Sequence, residues 1–156
     1  MKVRLLLACL SAAMLLPGSA LAGARQEAQV FMSPDPAELK FQQEWGYANA
    51  VVSGDTVTLS GVVAGLRPGE TDLRASYTRT FERIEGILRS AGVSWDDVVD
   101  ITSFHTDLAT QMPAIVAVKS HYVKPPYPSW TAIQVVRLIP DDGITEIKIV
   151  ARKPRR

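Results

Sequence analysis

TDLRASYTRTFERIEGILRSAGVSWDDVVDITSFHT, residues 71–106, holds the change of period on which the fold turns. Its first half repeats apolar residues at three- and four-residue steps: Leu73, Tyr77, Phe81, Ile84, Leu88 and Ala91. That spacing draws one face of an α-helix, with Arg74, Arg79, Glu82, Arg83, Glu85 and Arg89 covering the rest. Thr71 is the expected N-cap, and Gly92 stands where a left-handed glycine ends a helix. The second half changes period, and Val98–Thr106 reads as a strand. Between them, Ser94 followed by Asp96-Asp97 reads as a capped turn rather than a metal site.

Working outward, Tyr47–Val52, the turn Ser53-Gly54-Asp55 and Thr56–Val62 read as a hairpin. Arg67-Pro68-Gly69 marks the loop that leads to the helix. Downstream, Gln111–Tyr122 reads as a second, weaker helix with Ile115, Val118 and Tyr122 on one side. Pro125-Pro126-Tyr127-Pro128 stops it. Trp130–Leu138 and Ile144–Ala151 are the last strands, joined by the turn residues Pro140-Asp141-Asp142-Gly143. The order ββαβαββ predicts an α+β protein with two helices covering one face of one sheet. A chain of 156 residues without repeats or linkers is one domain in length. With 47% hydrophobic and 21% charged residues it fits a packed globule and not a disordered chain.

Strand alternation sorts the sheet residues into two sets. Val57, Leu59, Ile133, Val135, Ile147 and Ile149 are expected to meet the helices. The opposite set holds Thr58, Ser60, Trp130, Ala132, Gln134, Glu146 and Lys148. A plain solvated face accounts for most of that set. Trp130 and Val62 fit such a face poorly, and they suggest that another subunit covers it and leaves a cleft.

The first residues have the anatomy of a secretory signal peptide. Lys2 and Arg4 precede an apolar run from Leu5 to Leu16, Pro17-Gly18 break it, and Ala20-Leu21-Ala22 offers small residues for cleavage. The run is shorter than the roughly 20 apolar residues of a membrane span. A lipoprotein signal at Leu6-Leu7-Ala8-Cys9 fits less well, because the apolar run continues past Cys9. The expectation is therefore residues 1–22 as signal, 23–44 as a polar, flexible lead-in with a turn at Ser33-Pro34-Asp35-Pro36, 45–152 as the domain and 153–156 as a basic tail. Cleavage would leave 134 residues with 15 basic and 16 acidic side chains, a net charge of −1. That surface has no basic excess for nucleic acid. The lone cysteine, Cys9, would leave with the signal, so the exported chain would carry no disulfide or thiol nucleophile. Its expected location is the periplasm, free of the membrane once the signal is cut.

Three stretches resemble one family. GYANAVVSGDTVTLSGV (46–62) resembles the N-terminal hairpin of the Rid proteins, the reactive-intermediate deaminase-like or YjgF-like family. SAGVSWDDVVDITSFHTDL (90–108) resembles their helix end, turn and third strand. PSWTAIQVVRLIPDDGITEIKIVA (128–151) resembles their final hairpin. The resemblance implies a chorismate-mutase-like fold and a homotrimer with ligand clefts between subunits. In active members the cleft hydrolyses imines or enamines to a ketone and ammonia, without a cofactor. It implies a catalytic, water-positioning role for Glu146 and substrate-binding roles for Tyr47, Ser60, Gly61 and Trp130.

The family's carboxylate-binding arginine falls on Trp130, and Ala132 replaces a frequent cysteine. A guanidinium grips a carboxylate with a planar fork of donors. An indole has one N–H and no charge, so Trp130 cannot do that work. Lys148 stands where many members have a second glutamate, and is expected to form a salt bridge with Glu146 or another acid. Of the two histidines, His105 is expected to be a hydrogen-bonded structural residue, and neither it nor His121 has metal-ligand spacing. No metal site is expected. Two functions follow: an imine or enamine hydrolase with activity altered or lost through Trp130, or a non-catalytic small-ligand-binding or chaperone-like protein. The endoribonuclease label that relatives carry ranks third, because the charge gives it little support.

Overall fold

The computed structural model describes residues 23–154, so the expected signal peptide and the last two residues of the basic tail lie outside the described residues. In chain order the elements are α1 (Ala24–Glu27), β1 (Gln29–Phe31), α2 (Pro36–Trp45), β2 (Ala50–Ser53), β3 (Thr56–Leu59), β4 (Val62–Gly65), α3 (Leu73–Ser90), β5 (Val98–His105), α4 (Leu108–Tyr122), β6 (Ser129–Gln134) and β7 (Gly143–Arg152). All the strands join one sheet in the order β1-β2-β3-β7-β5-β6, with β4 also on β7. Every pairing is antiparallel except β5 with β6. Tyr77 of α3 and Gln111 of α4 both hydrogen-bond Thr145 of β7, which puts the two long helices on the same face of the sheet. This is the α+β architecture that the element order predicts.

The long helix forms as its pattern requires. Tyr77, Phe81, Ile84 and Leu88 are fully buried against Val57, Leu59, Ile147 and Ile149 of the sheet. Each such side chain contributes roughly 1.5–3 kcal/mol, so packing holds α3 far more than propensity does. Its N-cap is Asp72 rather than the expected Thr71, with the carboxylate accepting from Arg74 N–H at 2.9 Å. Gly92 ends it as expected, at φ +79°. Gly92 N–H bonds Arg89 C=O, Val93 N–H bonds Leu88 C=O, and both Val93 and Leu88 are buried. Just before α3, Glu70 takes a two-pronged grip from Arg79 at 2.6 and 2.7 Å. That contact, with the Arg67 N–H, holds the Glu70 carboxyl down from the ordinary 4.5 to about 2.

Three expectations need correction. The lead-in is not unstructured throughout. Asp35 caps α2 by accepting from Ala37 and Glu38 N–H, Pro36 takes the first helical position, and β1 adds a strand to β2. Gln42, buried, ties this helix down: its Oε1 accepts from Ser33 N–H at 2.8 Å and its Nε2 donates to Asn49 Oδ1 at 2.7 Å.

The second hairpin strand is broken. Thr58 pairs with Val150 and Val62 with Ile147, so four steps on one strand oppose three on the other. The extra residue is a β-bulge at Ser60-Gly61. It reverses the alternation: Val57 and Leu59 are buried before it, Val62 and Ala64 after it. Val62 therefore faces the helices, and no subunit is needed to cover it.

The alternation of β6 is the reverse of the expected one. Its parallel register sets Trp130, Ala132 and Gln134 beside Ile101, Ser103 and His105, on the helix side. Ile133 pairs with Phe104 on the open face and is 44% exposed. Val135 lies beyond the end of β6 and is only half-buried. Glu146 and Lys148 pair with Phe104 and Thr102, so both lie on the open face, as expected.

Candidate functional site

Glu146 leaves β7 beside β4, opposite Val63, where the bulge interrupts the ladder. A methyl group on Gly61 would overlap the Glu146 carboxylate and come within 2.6 Å of its Cγ. Glycine at this position is what lets the acid lie across the bulge. Ser60 N–H bonds Asn49 C=O at 3.0 Å, which fixes the bulge to the hairpin. Tyr47 enters immediately after α2, its N–H bonded to Gln42 C=O at 3.1 Å.

These groups line one open cleft of about 1220 Å³. Tyr47, Ser60, Gly61 and Glu146, four of the five residues expected from the sequence, are brought together there. The structure adds residues that the sequence reading missed. Phe41 and Trp45 of α2 form an exposed stacked pair, ring centres 4.9 Å apart, with Tyr47 edge-on to Phe41 at 6.2 Å. Leu138, Ile139 and Pro140 form another part of the lining. Arg83 and Arg137 are its cations, the first held by Glu38 at 3.3 Å and the second by Asp141 at 2.5 Å. The overlooked signal was Asp35-Pro36 with Glu38, an N-cap, a helix-starting proline and a first-turn acid, followed by aromatics four residues apart.

Trp130 does not line this cleft within the chain. It packs against the hydrophobic core on the opposite face of the sheet, under α4. Its indole N–H donates to Ser103 Oγ at 2.9 Å, and the Lys119 ammonium sits 4.2 Å from the ring centre. Burial holds the Lys119 pKa below that of an ordinary lysine. Lys148 makes no salt bridge among the described residues, so the expected pair with Glu146 is not formed.

Ser103 continues into a fully buried polar chain. Its Oγ lies 2.9 Å from His105 Nε2, while His105 Nδ1 meets Gln111 Oε1 at 3.1 Å. Gln111 Nε2 donates to Thr106 Oγ1 at 3.0 Å, so its Oε1 is the accepting end. His105 then donates from Nδ1, and in the neutral ring Nε2 accepts from Ser103 Oγ. Burial pushes its pKa below the ordinary value, against the Gln111 hydrogen bond. Thr145 joins Gln111 at 3.0 Å and Tyr77 at 2.8 Å. His105 is the hydrogen-bonded structural histidine expected from the sequence.

The family model described as Endoribonuclease L-PSP matches residues 38–153. The chain belongs to this family, the YjgF-like or Rid family. The match starts inside α2. The RutC family protein YjgH of Escherichia coli K12 is 39% identical over 116 residues, covering 72% of this chain and 87% of that protein. A solved structure of protein YJGH superposes with a TM-score of 0.68 at 35% identity, over 81% of this chain and 96% of the other. RidA from the Antarctic bacterium Psychrobacter sp. PAMC 21119 is 33% identical, with a TM-score of 0.60, over 68% and 87% of the two chains. The Rid fold is thereby shown, with its chorismate-mutase-like sheet.

Proposed function

We propose that this Rid protein is an exported hydrolase of small imines or enamines, and that the reaction takes place in the cleft over Glu146. One observation carries the reading: the Glu146 carboxylate lies over Gly61 and lines, with Ser60 and Tyr47, a cleft large enough for a small organic molecule. Glu146 orients a water and accepts its proton as the oxygen bonds to the C=N carbon. That proton passes to nitrogen to give a carbinolamine, the carbinolamine hydroxyl then gives its own proton to the same nitrogen as the C–N bond breaks, and the products are a carbonyl compound and ammonia. The bulge backbone and the Tyr47 hydroxyl orient the substrate. No cofactor enters the scheme.

Activity is altered relative to arginine-bearing relatives. Trp130 has no charge, and its single N–H is engaged by Ser103. The cations that remain beside the cleft are Arg83 and Arg137. A homotrimer that closes the cleft between subunits is part of the proposal. The open face of the sheet favours it, because Ile133 is exposed there beside Phe104. Export to the periplasm follows from the reading of residues 1–22. The surface charge disfavours a nucleic-acid partner.

The test is ammonia release from 2-iminopropionate and larger imines generated in situ, with Glu146→Gln as the control. Acceleration by the native chain that is lost in the variant supports the reading. No acceleration across a broad panel rejects it and leaves small-ligand binding without turnover, which the loss of the clamping arginine favours. A chaperone-like role is then tested by suppression of aggregation of a heat-unfolded protein.

A further inference from the structure

We infer that the substrate of this cleft carries an aromatic side chain, which stacks on the Phe41–Trp45 wall while its reacting carbon lies over Glu146. The inference rests on the hydrolase reading and narrows it to a substrate class.

The argument starts from α2. A ten-residue helix on a domain surface ordinarily turns its large apolar residues inward. This one buries only Gln42, a polar side chain. Phe41 and Trp45, four residues apart, are left 42% and 58% exposed. They stack on each other, Tyr47 extends them, and all three line the cleft that contains Glu146. Such a platform exposes the faces of flat rings, which favour another flat ring through offset stacking and shared apolar burial. Ile139, also exposed, adds apolar surface to the lining of the same cleft.

Size and charge agree. The cleft, at about 1220 Å³, greatly exceeds the needs of a three-carbon imine. Arg83 holds Glu38 through Nη2 and Arg137 holds Asp141 through Nε, so among the described residues each guanidinium keeps other N–H donors free for a carboxylate. An aryl group on the wall, a carboxylate near a guanidinium and a C=N carbon at Glu146 together describe the imine of an aromatic amino acid. The balanced step is R–C(=NH)–COO⁻ + H₂O → R–C(=O)–COO⁻ + NH₃.

The experiment uses the exported chain. An amino-acid oxidase generates the imines of phenylalanine and alanine in situ, and acceleration of ammonia release is measured for each. The phenylalanine imine is expected to react with roughly tenfold higher kcat/KM. Changing Phe41→Ala with Trp45→Ala should bring the ratio of kcat/KM for the phenylalanine and alanine imines down from roughly ten to about one. Trp45→Gln alone, at an exposed position, serves if the double variant does not fold. Equal rates for the two imines overturn the inference and leave the hydrolase reading standing. Acceleration of neither sinks the hydrolase reading, and binding then decides: 3-phenylpropionate should quench tryptophan emission where propionate does not, and Trp45→Phe should abolish the quench. No such difference overturns the aromatic site as well.

Discussion

The two polar regions of this molecule lie on opposite faces of the same sheet and are built on opposite rules. Under the helices, Trp130, Ser103, His105, Gln111, Thr145 and Tyr77 form a chain in which every donor has an acceptor. At the bulge, Glu146 lies open over Gly61 and is joined to no base among the described residues. Saturated groups specify structure, because removing one leaves its neighbours buried and unpaired. Unsaturated groups beside a cleft are available to a substrate. Both regions contain residues that the sequence resemblance singles out, and their hydrogen bonding separates them.

The comparison breaks most visibly at His105. His105→Leu leaves Ser103 and Gln111 without their partner and should lower unfolding free energy by about 3 kcal/mol, read by urea titration. Turnover per folded molecule should not change. Glu146→Gln should do the reverse, reducing imine hydrolysis roughly 100-fold while the urea midpoint stays put. Gly61→Ala should fall between the two. The added methyl displaces the carboxylate, so activity should drop about tenfold, with a stability loss of about 1 kcal/mol.

Acid sharpens the contrast. The folded pKa of His105 lies below the 6.5 of an unfolded histidine. The unfolded chain then binds more protons in that interval. Stability is full above pH 6.5 and declines as pH falls toward the folded value, and His105→Leu should remove that component of the slope. The smallest effect belongs to Glu70, whose pKa drops from 4.5 to about 2. Its contribution is present above pH 4.5 and is lost as pH falls through about 2. Glu70→Gln should flatten a melting-temperature profile there and leave the neutral-pH melting point almost unchanged.

How far the sequence could be read depended on whether each segment obeyed one period. α3 did, with six apolar positions and a glycine stop, so its bounds and buried face were legible. β6 did not. Its inward residues sit beside Ser103 and His105, whose polarity is satisfied internally, and a hydrophobic alternation cannot distinguish satisfied polar groups from solvated ones. Ile133 and Val135 therefore looked inward when they are not. α2 was hidden for a related reason: its aromatics face a cleft rather than the core, and only its cap signals were ordinary. The four cleft residues were found through the family's motifs. Trp130 was matched to the family's arginine through the resemblance alone, and its place on the helix side of the sheet could not be read without the parallel register of β6.

The irregularity at Ser60-Gly61 has a consequence for how this chain can change. Two interiors are phased by it: the valine and leucine of β3 and the valine and alanine of β4 point inward only because one surplus residue lies between them. Deleting that residue would mend the ladder and swing Val62 and Ala64 out into water. A lineage that abandons the chemistry is therefore not free to straighten the strand. The kink beneath Glu146 persists as scaffolding whether or not anything is hydrolysed above it.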